Sequence, residues 1–180
     1  MYEKAVKMAR EAHEGQKRKI TGEKYFSHPL NVARILRQAQ LPEYVVVAGL
    51  LHDAAEDTAL TIADIEREFG GKVARLVAAH TEDKSLSWEN RKSHTIHVVE
   101  TGDLEVKSLI VADKLDNLTS IKYALSSEGN QVWTYFKRGY SEQKWYYMSV
   151  AEVMYNGISK DEAPAFFAQY DRLVKTVFRR

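Results

Sequence analysis

The stretch Ala48-Gly-Leu-Leu-His52-Asp53-Ala-Ala-Glu56-Asp57-Thr58 constrains the fold of this chain more than any other. An apolar run from Val45 to Leu51 opens directly onto an imidazole and three carboxylates. A helix turns about 100° per residue, so with His52 at zero, Glu56, Asp53 and Asp57 stand near 40°, 100° and about 140°. All four share one sector, at the end of a helix whose earlier turns read as core. Crowded carboxylates repel one another and lose hydration. A divalent cation relieves both penalties, and imidazole with carboxylate is a ligand set for Mn, Fe or Zn. The ordinary reading of an acidic cluster is a solvated helix end; residues elsewhere in the chain favour the metal.

His28 lies in Tyr25-Phe26-Ser27-His28-Pro29-Leu30. Proline disfavours the helical region for the residue before it and suits a helix's first turn, which predicts His28 at a helix entrance. Val106, Ile110, Asp113 and Asn117 follow one helix face. An aspartate on that apolar stripe is costly to bury unless a charge or several donors meet it. A structural salt bridge would satisfy Asp113; metal ligation also explains its company with Asn117. The remaining histidines, His13, His80, His94 and His97, are expected to be structural or to stand behind the ligands.

With 180 residues the chain suits one domain with a substantial core, expected over 1–180. A net charge of +1 argues against a surface for nucleic acid polymers and leaves room for a local basic pocket. Cysteine is absent, which excludes disulfides, thiolate–zinc sites and cysteine nucleophiles. No signal peptide is read, and no apolar run approaches the roughly 20 residues that span a bilayer. A cytoplasmic protein without membrane association is the expectation. Helical periodicity dominates, with helices expected at about 2–14, 29–39, 42–57, 61–69, 71–81, 87–99, 103–121, 129–138, 140–156 and 160–178. Thr61 with Asp64 forms a capping-box pattern, and Gly70-Gly71 ends that helix. No alternating strand with hairpin chemistry is visible, so the fold class is all-α. The aromatic-rich stretch 125–180 is expected to supply C-terminal helices that pack on the bundle. One or two edge aromatics would remain for substrate or for a homodimer contact.

The order His28…His52-Asp53…Asp113 resembles the HD superfamily of metal-dependent phosphohydrolases. With Glu56-Asp57-Thr58, Phe69-Gly70, Thr81-Glu-Asp-Lys84 and Ala112-Asp113-Lys-Leu-Asp-Asn117, the chain is similar to the hydrolase domain of the RelA/SpoT alarmone enzymes. It is most like the stand-alone small alarmone hydrolases. The likeness covers about residues 2–121 and implies an HD-type helical bundle. It implies that His28, His52, Asp53 and Asp113 hold one Mn²⁺, or another divalent ion, and that Glu56 and Asp57 handle the attacking water. Arg18, Lys19 and Lys84 would meet the phosphates of a guanine nucleotide, with Asn117 and Ser120 near its ribose. Such an ion withdraws charge from a phosphoryl oxygen and activates water, while a carboxylate takes the proton. The chain departs from the pattern in two places. Lys24 replaces the proline of Gly-Glu-Pro-Tyr, and Asp113-Lys-Leu-Asp-Asn117-Leu-Thr-Ser120 replaces Asp-Arg-Leu-His-Asn-Met-Arg-Thr.

The reading these features carry is hydrolysis of the 3′-pyrophosphate of (p)ppGpp to GDP or GTP and pyrophosphate. With no synthetase segment read beyond it, only degradation is expected. Two alternatives stay open: another HD-type nucleotide phosphohydrolase, acting on deoxynucleoside monophosphates or the 2′-phosphate of NADPH, and a non-catalytic nucleotide-binding module. Glu56 and Asp57 beside four ligands weigh against a pure binder, which has no need of a water-activating pair.

Overall fold

The computed structural model describes residues 1–178, so the last two residues of the expected 1–180 domain lie outside it. Among the described residues ten α-helices and one 3₁₀ turn follow in order: α1 Tyr2–Ala12, α2 Ser27–Gln38, α3 Glu43–Leu51, α4 Ala54–Asp57, α5 Ile62–Phe69, α6 Gly71–His80, α7 Trp88–Thr101, α8 Leu104–Glu128, the 3₁₀ turn Gly129–Tyr135, α9 Tyr140–Val153 and α10 Ala165–Val177. Among the described residues the only β pairing is a lone bridge, Lys17 to Lys24, which closes the loop between α1 and α2. The all-α expectation holds.

α8 is the axis. From Val106 to Asp116 every residue on it is buried, and a helix buried all round must lie inside its neighbours. α2, α3, α6, α7 and α10 pack around it. Even Lys107 is buried; its ammonium donates to the carbonyls of Val99 and Glu100, which lie in the last turn of α7. The end of that helix thereby gains the donor and the positive charge that its unpaired carbonyls favour.

α3 is buried from Val45 to Leu51 and lies against α2. Gly49 permits the approach: a Cβ there would sit 2.6 Å from Leu36 Cδ1 and 3.5 Å from the Ala33 Cα. His28 lies in the first turn of α2 and His52 caps the end of α3, so this contact sets the distance between two of the expected ligands.

Several boundaries differ from expectation for local reasons. The helix expected over 42–57 breaks after Leu51, because Asp53 opens to φ −93°, ψ −7°. α2 starts at Ser27, so His28 sits inside its first turn rather than ahead of it; Pro29, one residue on, still occupies that turn. α8 continues to Glu128, and the segment expected as a helix from 129 is a 3₁₀ turn. The last helix starts only after Pro164. The capping box at Thr61 and the turn at Gly70 (φ +88°) form as expected. Trp133, Tyr146, Tyr147, Phe166, Phe167, Tyr170 and Phe178 are buried in the core, while Tyr135 and Trp145 remain exposed. The aromatic segment is therefore mainly packing.

Gly49→Ala should force Leu36 out of place and lower stability by about 1–3 kcal/mol, the usual cost of overpacking. Thermal denaturation of Gly49→Ala, and of Gly49→Ala with Leu36→Val to make room, checks this; the second variant should recover part of the loss. An unchanged Tm for Gly49→Ala would contradict the close approach.

Candidate metal centre

Three segments deliver the four donors. His28 comes from α2 and Asp113 from the middle of α8; His52 and Asp53 form the break between α3 and α4. His28 Nε2 and His52 Nε2 face each other at 3.2 Å. Asp53 Oδ2 lies 3.2 Å from His52 Nε2 and 3.6 Å from His28 Nε2. Asp113 Oδ1 lies 3.2 Å from His28 Nε2 and 3.9 Å from His52 Nε2. Both imidazoles are buried, as is Asp113.

The far nitrogens of the two rings decide what this cluster can hold. His52 Nδ1 lies 2.8 Å from the Gly49 carbonyl, which only accepts, so Nδ1 carries the proton. His28 Nδ1 lies 2.7 Å from Asp116 Oδ2 and is assigned a proton on the same ground. In neutral rings both Nε2 atoms then present lone pairs to each other and to two carboxylates. A positive charge must sit among them. This donor set fits a divalent ion, and a carboxylate behind a ligating imidazole is a common support of such sites.

The supports are extensive. Asp116 also accepts from Arg18 Nη1 at 2.8 Å and from Asn31 Nδ2 at 3.0 Å. Asp113 Oδ1 accepts from Asn117 Nδ2 at 2.6 Å, while its Oδ2 meets His80 Nε2 at 2.9 Å and Lys114 Nζ at 2.6 Å. The Tyr25 hydroxyl donates to Asp53 Oδ2. His80 also packs edge-on against His52, with ring centroids 4.7 Å apart. Its atoms also reach a second grouping with His52 and Asp53. His13 is paired through Nδ1 with Gln16.

The electrostatics follow from this packing. Burial works against a charged His28, but hydrogen bonds to Asp113 and Asp116 outweigh it and push the ring up to about 9. His52 is also raised, with Asp53 overcoming the effect of burial. Burial opposes ionisation of Asp53, yet His52 and His28 hold it well below the usual carboxylate range. Glu56 moves the other way: burial raises it and Asp53 adds to the effect, against a hydrogen bond from the Glu82 amide.

The other expected site residues divide. Glu56 lines a small polar cavity beside the cluster, together with Asp53, Asp113 and Asn117. Asp57 turns away to the lip, where Lys84 Nζ bridges its Oδ1 at 2.5 Å and the Glu56 carbonyl at 2.7 Å. The two residues are neighbours on α4, where successive side chains point about 100° apart, and the break at Asp53 rotates both away from the sector of His52. Arg18 is buried and spent on Asp116 and Asn117. Lys19 is exposed on the loop, and the Ser120 hydroxyl donates to the Asp116 carbonyl of its own helix. Sequence reasoning missed Tyr25, Asp116, Lys114, Glu82 and Lys92 as parts of the site. The signal for Asp116 was a second carboxylate one turn after Asp113 on a helix otherwise apolar enough to be buried.

The HD domain family matches residues 5–138. The chain belongs to that family, whose fold implies a divalent metal. A mouse relative, the guanosine-3′,5′-bis(diphosphate) 3′-pyrophosphohydrolase MESH1, is 39% identical over 120 residues, covering 65% of this chain and 67% of the relative. Longer curated relatives match only in part: the chain spans 15% of one from Arabidopsis thaliana and 17% of one from Aquifex aeolicus. The crystal structure of lmo0812 from Listeria monocytogenes superposes with a TM-score of 0.82 at 65% identity, over 85% of this chain and 99% of that one. A metazoan SpoT orthologue described as hydrolysing ppGpp superposes with a TM-score of 0.78 at 28% identity, over 97% and 93% of the two chains.

In metal-free protein a proton takes the place of the ion. The His28 value of about 9 exceeds its ordinary 6.5, so the contribution of the charged ring is complete below pH 6.5 and is lost as pH rises through 9. Chelator-treated protein should therefore lose stability over that window, by up to about 3 kcal/mol. Added divalent metal needs the neutral rings, so the stabilisation it confers should grow over the same window. Thermal melts at pH 6.5 and 9, with and without metal, check both signs; metal stabilisation that shrinks toward pH 9 would contradict them.

Proposed function

We propose that this chain is a cytoplasmic, Mn²⁺-dependent hydrolase that removes the 3′-pyrophosphate of (p)ppGpp, yielding GDP or GTP and pyrophosphate. The observation that carries the reading is that Asp53 and Asp113, which meet His28 and His52, share one polar cavity with the Glu56 carboxylate. The similarity to MESH1 and to the metazoan SpoT orthologue supports the same substrate. Among the described residues no helix is long and apolar enough to cross a membrane, which is compatible with the proposed location.

His28, His52, Asp53 and Asp113 would hold the ion, which when bound supplies Lewis acidity toward a phosphoryl oxygen and lowers the pKa of water. Glu56 accepts a proton from the attacking water; its raised pKa brings it nearer the working range of a general base. Asn117 and Tyr25 keep Asp113 and Asp53 turned toward the imidazoles. Asp57 holds Lys84 at the lip, where its ammonium faces an incoming polyphosphate. Water oxygen bonds to the phosphorus on the ribose 3′-oxygen, and the bond from that phosphorus to the 3′-oxygen breaks. Pyrophosphate leaves carrying the water oxygen, and the nucleoside regains its 3′-hydroxyl.

Reaction of ppGpp in ¹⁸O-water with Mn²⁺ should place the label in pyrophosphate alone. Glu56→Gln should keep its metal content and lose about 10²-fold or more in turnover, the scale for a proton-handling group. Label in the nucleotide, or orthophosphate as first product, would move the reading to a nucleotidase. Full activity of Glu56→Gln would remove its assigned role.

A further inference from the structure

The three cations expected to bind phosphate do not line the cavity beside the cluster. Arg18 is engaged by Asp116 and Asn117, Lys19 is exposed on its loop, and Lys84 is tied to Asp57 at the lip. Two other lysines face the cavity instead. It has a volume of about 140 Å³ and is lined by Lys92, Thr95 and Lys114 besides Glu56 and the acidic ligands. Lys114 from α8 and Lys92 from α7 both approach the face of Tyr146, at 5.5 Å and 5.0 Å from its centroid. Two ammonium groups over one ring repel each other unless anions stand nearby. Glu82 is one such anion, but it is shared: it accepts from Lys92 Nζ at 2.7 Å, Arg91 Nη1 at 3.2 Å and Thr95 Oγ1 at 3.0 Å. Lys114 donates to Asp113, whose other oxygen belongs to the metal cluster. Each ammonium has three donors, and one carboxylate contact for each leaves others to point into the cavity.

We infer that this cavity is a diphosphate subsite, in which Lys92 and Lys114 hold the terminal phosphate of the group that leaves, beside Thr95, whose hydroxyl is already given to Glu82. The inference rests on the proposed reaction for its direction and adds the residues that select the leaving group. Size supports it. A cavity of about 140 Å³ is far below the roughly 300–1,000 Å³ of sites that enclose a whole small-molecule ligand. The nucleoside therefore stays outside while the phosphates enter, with Glu56 at the junction. A 3′-diphosphate reaches the lysines, whereas a single phosphate at the metal leaves them unengaged.

The test is calorimetric titration of the metal-loaded full chain with pyrophosphate premixed with equimolar Mg²⁺, so that the ion is not stripped, and separately with orthophosphate. Wild-type protein should bind pyrophosphate more tightly than orthophosphate. Lys92→Gln should bind pyrophosphate about tenfold more weakly, with metal content unchanged, as loss of one charged hydrogen bond implies. Lys92→Arg should retain most of the affinity, as should Thr95→Val, which leaves both lysines in place. Wild-type pyrophosphate affinity in Lys92→Gln, or equal affinity for the two anions in wild type, would overturn the subsite. Lysine-dependent pyrophosphate binding by a chain that leaves ppGpp intact would instead overturn the proposed reaction and keep the subsite. Hydrolysis of ppGpp with lysine-independent pyrophosphate binding would do the reverse.

Discussion

Two imidazole nitrogens that face each other at 3.2 Å, with their partner nitrogens already committed as donors, are the constraint on which this molecule is built. Lone pairs and carboxylates brought that close require a positive charge, and the rest of the fold arranges for one to be there. Gly49 lets α3 lie close against α2, so the two rings can meet, and its own carbonyl fixes the His52 tautomer. α8 runs through the centre because Asp113 has to reach the cluster from within the core, where it meets Asn117, His80 and Lys114. A buried carboxylate with so many partners is held in a single orientation, as a metal ligand needs to be.

The four donors were legible because each breaks a pattern. His52 and Asp53 interrupt an apolar run, Asp113 stands on an apolar helix face, and His28 precedes a proline. Their types and order were enough to predict convergence. Past His52 the helical wheel fails, since it assumes a continuous helix and the chain opens at Asp53. Glu56 and Asp57, neighbours about 100° apart on the short helix that follows, take different sides: one lines the cavity and the other meets Lys84. The broad fold class was equally legible from 3.6-residue periodicity, whereas Pro164 delaying the last helix and the 3₁₀ turn after Glu128 depend on packing that periodicity does not encode.

Supporting residues were harder to see for a physical reason. Lys114, Lys92 and Tyr146 come from three different helices and matter only because tertiary packing brings them together. Asp116 illustrates the same point from the other side. Where the alarmone-hydrolase pattern has histidine, this chain has a carboxylate, and that carboxylate draws Arg18 inward and backs His28. A residue expected to touch substrate is thereby turned into part of the scaffold of the metal centre. Long basic side chains take whichever carboxylate the fold presents, so a motif match locates them near a site without settling which way they point.

The most direct measurement is an anomalous difference map at the manganese edge from a crystal of the chain grown with Mn²⁺. One peak per chain is expected, within bonding distance of His28 Nε2, His52 Nε2, Asp53 and Asp113, with His80 outside it and still bonded to Asp113. A peak held by His52, Asp53 and His80 with His28 left out, the second grouping these side chains allow, would contradict the account, as would no peak among these residues at saturating metal.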